Sequence, residues 1–308
     1  MITPKKSILF HRWYHGYTGG HQKVCDYLHH IQSTGLYDVN LWLENKAKTQ
    51  TGLFSNLAGI KQVENYDPRD FDYIFLAGLD WNAYLPFKDN NQPVINLIQH
   101  VRHGNPKHPL FDFLQHRAIR ICVSDAVKDA ISPYANGPCF TIKMGHQFAK
   151  LKMPKNNDLY ILGTKQPEMA NEIGSWAENK GFSVITHSRP VERDLVYQSM
   201  AKSRVTIALP NKTEGFYLPG IEAMALSDWV VVPDCIANRE YASNGANITL
   251  CEHSIEACKV SISKVFGELS FTRRMFFKYK GLQRVKSYDL SKERICVTSL
   301  MKDIDQIW

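Results

Sequence analysis

The chain predicts an α/β fold of two domains, each built on a parallel sheet, and three observations carry that expectation. Short apolar runs rich in β-branched and aromatic residues alternate with longer stretches of helical character, as in sheets whose strands are joined by helices. At 308 residues the chain exceeds the usual size of one domain, so two domains of about 150 residues each are expected. The polar stretch from Lys150 to Asp158, with Pro154 inside it, separates two series of apolar runs and is expected to link the domains, as units 1–150 and 151–308.

In chain order, the first series places strands at 7–10, 39–43, 73–77, 94–98 and 119–123. Helices are expected at 20–32 and 125–132, the second with Ser124 as its N-cap. Asp67, Asp70 and Asp72 read as a turn before the strand at 73–77. The second series gives strands at 159–162, 183–186, 205–209, 229–233 and 247–250. Helices at 168–180, 192–202 and 218–226 fall between them, and helical stretches close the chain from Ser254 onward. Two such domains imply a cleft, and ligands of such sheets sit beyond the carboxyl ends of the strands.

A hydrophobic fraction of 44% is enough for two cores. Apolar runs such as Trp229 to Pro233 are far too short to span a bilayer. Pro4, Lys5 and Lys6 before the short run Ile8 to Phe10 do not make a secretory signal, so a cytoplasmic location is expected. The seven cysteines are odd in number and never spaced C-x-x-C, which suits reduced thiols and argues against a disulfide framework or zinc ribbon. A charge of +7 fits an anionic ligand, a membrane surface or nucleic acid without choosing among them. Arg273, Arg274, Lys278, Lys280, Arg284 and Lys286 occur with no acid among them. They read as a solvated helix face, or as a contact for a membrane surface or polyanion.

The stretch Ile207 to Leu226 carries the most chemistry. A strand ends at Pro210, a polar loop holds Glu214 and Gly215, and Pro219 sits where a first helical turn tolerates it. The helix start offers unpaired N–H groups and a positive dipole end, suited to phosphate. Gly215 lets the backbone approach a ligand closely. Glu222, one turn in, can aim a carboxylate at paired ribose hydroxyls, and Glu214 can face a polyol. Taken singly, a glutamate in a first helical turn more often serves only the macrodipole.

The string E-G-F-Y-L-P-G-I-E-A-M-A-L, from Glu214, resembles the E-x7-E signature of glycosyltransferase family 4, retaining transferases of GT-B fold. The likeness is strong from about Val205 to Tyr241 and weaker but collinear elsewhere. It implies two Rossmann-like domains facing a cleft, the first on the acceptor side and the second holding the nucleotide sugar. The last helix is expected to return to the first domain. By the resemblance, Glu214 contacts the donor sugar, Glu222 the nucleotide ribose, and the backbone of Gly215, Phe216, Tyr217 and Leu218 the sugar and diphosphate. Tyr217 stands where the family usually has a second glycine, which would narrow the pocket. Gly163-Thr-Lys-Gln supplies Lys165 as diphosphate clamp, without the arginine usual beside it.

In the first half, His15-Gly-Tyr-Thr-Gly-Gly-His-Gln-Lys23 lies between a strand and a helix, where glycines let N–H groups meet an anion. It is not G-x-G-x-x-G, which weakens a dinucleotide reading. It resembles the family's glycine-rich loop, so Gly19 and Gly20 are candidate donor contacts, with an ordinary tight turn as the alternative. His100 follows the strand at 94–98, where many family members carry a histidine near the reacting sugar, and is the second candidate catalytic residue beside Glu214. Arg102 and His103 are candidates for acceptor binding. His11 and His15, or His29 and His30, lack a third ligand at recognisable spacing, and no metal or cofactor is expected.

The expectation is therefore a retaining glycosyltransferase using a nucleotide-sugar donor and a glycan or lipid-linked acceptor, in cell-surface polysaccharide or lipid-linked glycan synthesis at the inner face of the membrane. The alternatives are a transferase acting on a hydroxymethylated DNA base and a non-catalytic sugar- or nucleotide-binding protein of the same fold.

Overall fold

The computed structural model describes residues 5–44, 52–55, 57–242 and 245–308. Pro4, named above at the N-terminus, lies outside the described residues. The chain forms two compact units, one of Met1–Gly145 with Ser291–Trp308 and one of His146–Leu290. The sequence suggests a division at 150/151 with the last helix returning to the first domain; in the structure the division falls at Gly145/His146, and Ser291–Trp308 is counted with the first unit.

In the first unit, β1 (Lys6–Arg12), β2 (Tyr37–Leu43), β3 (Lys61–Val63), β4 (Tyr73–Ala77), β5 (Val94–Ile98), β6 (Ile119–Cys122) and β7 (Cys139–Thr141) form one sheet in the order β3-β2-β1-β4-β5-β6-β7. Every pairing is parallel. Central strands β4 and β5 are buried along their whole length, which is why they read as unbroken apolar runs. α1 (Gly19–Ser33), the short α2 (Trp81–Tyr84) and α3 (Asp125–Ile131) connect strands, and Ser124 caps α3 through Val127 N as expected. β3 and β7 escape the sequence reading because three-residue edge strands leave no periodic signal. Asp67 caps a turn at Pro68–Asp70, consistent with the turn reading of the acidic cluster.

The second unit has β8 (Asn157–Leu162), β9 (Val184–His187), β10 (Ser203–Ala208), β11 (Trp229–Pro233) and β12 (Ile248–Cys251) in the parallel order β12-β11-β10-β8-β9. Its helices are α4 (Pro167–Asn179), α5 (Arg193–Lys202), α6 (Leu218–Leu226), α7 (Ile236–Arg239), α8 (Ile255–Glu268) and α9 (Phe271–Val285). Ile161, Ile207 and Val231 from three strands pack with Ile173 of α4 and Ile262 of α8. Ser254 caps α8, where the sequence placed the start of the closing helices. No helix among the described residues is long and apolar enough to cross a membrane.

α10 (Leu290–Lys302) and α11 (Ile304–Ile307) end the chain. Buried Glu293 fixes α10 to the first unit: Oε2 accepts from Lys23 Nζ at 2.9 Å and meets His30 Nε2 at 3.0 Å, and Oε1 accepts from Gly145 N at 3.0 Å. Lys23 also pairs with Asp26 (2.8 Å) and donates to Gly145 O (2.6 Å), so two carboxylates surround one buried ammonium. Burial by itself would lower the Lys23 pKa, yet Glu293 and Asp26 hold it above the ordinary value.

Candidate functional site

Two loops leave the carboxyl ends of the paired strands β8 and β10, the position where parallel sheets bind ligands. The first begins at Gly163, whose missing side chain lets it pack on Ala170 of α4; a Cβ there would overlap the alanine methyl. This brings Lys165 to Glu214 of the second loop, with Nζ 2.5 Å from Oε1. Gln166 Nε2 donates to Asn211 Oδ1 at 3.1 Å, a second tie between the same loops. Glu214 is buried while Lys165 is partly exposed, so the pair carries one sheltered charge and one that a ligand can reach.

Tyr217 differs from the expectation of a ring narrowing the pocket. Its side chain is 2% exposed, and the Lys165 ammonium lies 5.2 Å from its ring centroid. The ring belongs to the core beneath Lys165. Phe216 is buried too, against Tyr241 and Tyr288, and Leu218 is half-buried. Gly215 is likewise buried.

α6 starts directly after this loop, with Pro219 in its first turn and no side-chain hydrogen bond capping its N-terminus. Pro219 has no N–H and Gly220 N donates to Tyr217 O at 3.2 Å, so what the helix start adds to the end of the glutamate loop is mainly the positive end of its dipole. Tyr241 sets the height of this helix start: its hydroxyl donates to Tyr217 O at 2.8 Å. Gly220 makes the approach possible, since a Cβ there would collide with that hydroxyl. At the other end, Lys278 of α9 donates to the carbonyls of Met224 (3.0 Å), Ala225 (2.8 Å) and Ser227, and Lys155 donates to Leu226 O at 2.8 Å. Cations thus replace the missing partners of the last helical turn. Lys278, read in sequence as part of a basic run, is accordingly an internal cap.

Glu222, buried on α6, meets a set of partners that sequence spacing gave no reason to group. Its Oε1 is 2.8 Å from His146 Nε2, 2.7 Å from the donating Tyr197 hydroxyl and 3.3 Å from Arg193 Nη2. Burial raises the carboxyl pKa, but His146, Tyr197 and Arg193 together hold it below the ordinary value. Burial, with the same carboxylate beside it, pushes the Tyr197 hydroxyl well up. His146 is the first residue of the second unit; its backbone is clamped by Tyr288 O (2.8 Å) and Leu290 N (3.1 Å). Nearby, Tyr160 and His187 join through a 2.9 Å contact between hydroxyl and Nδ1, and burial lowers the His187 pKa.

The candidates of the first unit fall at its strand ends. Gly19 and Gly20 are the first residues of α1 rather than a separate turn, and Thr18 Oγ1 caps them by accepting from His21 N at 3.1 Å. A Cβ on Gly20 would lie an ordinary 3.6 Å from Gln99, so its glycine leaves room without relieving a clash within the unit. His100 follows β5 and is half-buried; Arg102 is exposed. His103 is buried, and burial, with His100 and Arg102 nearby, lowers its pKa to about 3. A neutral, enclosed imidazole does not suit the acceptor contact expected of it. His15 Nδ1 and His21 Nε2 are 3.2 Å apart, and burial lowers His21 to about 4. Among the described residues no group of three or more His, Cys, Asp or Glu has the arrangement of a metal site.

The sequence matches no protein-family model and no curated protein. Solved structures are similar to it in fold. A sucrose-phosphate synthase from Thermosynechococcus elongatus matches over 98% of this chain and 100% of its own, at TM-score 0.72 and 10% identity. HepE from Anabaena, solved with UDP and glucose, matches over 96% and 99% at TM-score 0.73 and 12% identity. A glycosyltransferase from Rickettsia africae matches over 97% and 98% at TM-score 0.69 and 13% identity. The likeness shows the fold: two parallel-sheet α/β domains, the GT-B architecture expected from the sequence.

Proposed function

We propose that the protein is a retaining glycosyltransferase of the family 4 type that moves a sugar from a nucleotide-sugar donor to a glycan or lipid-linked acceptor. The observation that carries this reading is the Lys165–Glu214 pair at the uncapped start of α6, with Glu222 one turn further on. That arrangement offers a cation and the positive end of a helix dipole to a diphosphate, and two carboxylates to hydroxyls on either side of it.

In this reading the donor sugar lies against Glu214, which orients it and stabilises positive charge developing at the anomeric carbon. Lys165 and the positive end of the α6 dipole take up the negative charge of the departing diphosphate. Glu222 receives the ribose hydroxyls; His146, Tyr197 and Arg193 all meet Oε1, which leaves Oε2 for them. Retention follows if the acceptor attacks from the face on which the nucleotide leaves, with no separate nucleophile. UDP-glucose, the ligand of one HepE structure, is the first donor to try.

The test is turnover of labelled sugar nucleotides by the wild-type protein and by Glu214→Ala and Glu222→Ala. Both variants should stay folded and lose transfer by roughly a hundredfold or more. Full activity in both would refute the assignment.

A further inference from the structure

We propose that the outward face of α9 docks on the surface of an anionic lipid bilayer. The observation is an inverted composition. A helix packed on one side of a soluble domain normally turns polar residues to water. On α9 the outward positions include Phe276 at 54% exposure and Tyr279 at 63%. No acid occurs between Leu269 and Tyr288.

Only part of the basic run is available to such a partner. Lys278 is committed to the carbonyls of α6, and Arg284 donates to Tyr241 O at 3.1 Å. Arg273, Lys280 and Lys286 remain exposed. Arg273, Phe276 and Lys280 follow one another at helical spacings of three and four, which stacks them on one face. The Lys280 ammonium lies 4.7 Å from the Phe276 ring centroid, so cation and ring form one patch. Rings settle at headgroup depth while ammonium and guanidinium groups meet lipid phosphate. A duplex nucleic acid would use the cations and leave the two rings in water, whereas a bilayer interface accommodates both.

The experiment is co-sedimentation of the full chain with phosphatidylcholine vesicles, with and without phosphatidylglycerol, at several salt concentrations. Binding should require phosphatidylglycerol and fall with salt. Arg273→Glu/Lys280→Glu and Phe276→Ser/Tyr279→Ser should each weaken it roughly tenfold or more, with unchanged melting temperatures because all four side chains are exposed or partly so. The proposal is overturned if the wild type ignores phosphatidylglycerol vesicles, or if both variants bind them as it does. It is equally overturned if duplex DNA displaces the vesicles through the same residues. A dimer in analytical centrifugation that Phe276→Ser/Tyr279→Ser dissolves would assign the patch to a second copy and overturn it as well.

Discussion

His146 Nε2 stands 2.8 Å from Glu222 Oε1, and this contact joins the first residue of the second unit to the helix that follows the Lys165–Glu214 loops. A buried carboxylate is costly unless donors converge on it, and here the imidazole is the nearest nitrogen donor. If Glu222 binds ribose hydroxyls, His146 acts on that binding only through the carboxylate.

His146→Ala should therefore weaken nucleotide binding about tenfold near neutral pH, the worth of one hydrogen bond to a charged group. The pH dependence carries the sharper sign. The native Glu222 carboxyl is held below its ordinary 4.5, so its charge persists above that value and is lost only as pH falls beneath it. Without His146 the burial penalty remains and one offset is gone, so the loss should begin at higher pH. Calorimetric titration of the best-binding nucleotide over a pH series checks this, and coincident profiles for the two proteins would contradict it.

Gly220 and Tyr241 make a second coupled pair. Gly220→Ala should destabilise the protein by about 1–3 kcal/mol, because the new methyl meets a buried hydroxyl that already bonds Tyr217 O. Tyr241→Phe removes the oxygen that the methyl strikes. In the double variant the two costs should therefore sum to less than the singles, a departure that urea unfolding can resolve. Strict additivity would show that the helix start moves aside freely.

The sequence disclosed the fold well because its signals are local. Buried central strands such as Tyr73–Ala77 and Val94–Ile98 are unbroken apolar runs, and Ser124 and Ser254 announce their helices through capping chemistry. Part of the site was equally legible: Glu214, Gly215 and Glu222 lie in one short segment, and Lys165 follows the neighbouring strand. The partners of Glu222 were not. His146, Arg193 and Tyr197 reach it from a domain junction and the start of another helix, a convergence that tertiary structure alone creates. Lys278 misled for the complementary reason, since a lysine among exposed cations gives no sign in sequence that its own amine is turned inward.

That inward amine yields the last prediction. Lys278 Nζ serves three carbonyls at the end of α6, and burial lowers its pKa to about 7, from an ordinary 10.5. Between those two values the unfolded chain holds a proton that the native state has begun to release. The unfolded state binds more protons there, so this group makes stability rise as pH climbs from 7 towards 10.5. Below pH 7 the native ammonium is charged and its burial cost is borne in full. Lys278→Met abolishes the titration and takes the side-chain donor from Ala225 O, while Met224 O and Ser227 O keep Asn247 Nδ2, which should cost about 1 kcal/mol. All other titrating groups are common to both proteins, so the difference in their pH slopes isolates this lysine. Urea unfolding at pH 7 and at about pH 9 should show the wild type gaining stability relative to the variant. Equal slopes would mean that Lys278 keeps its proton throughout and caps α6 as a permanent cation.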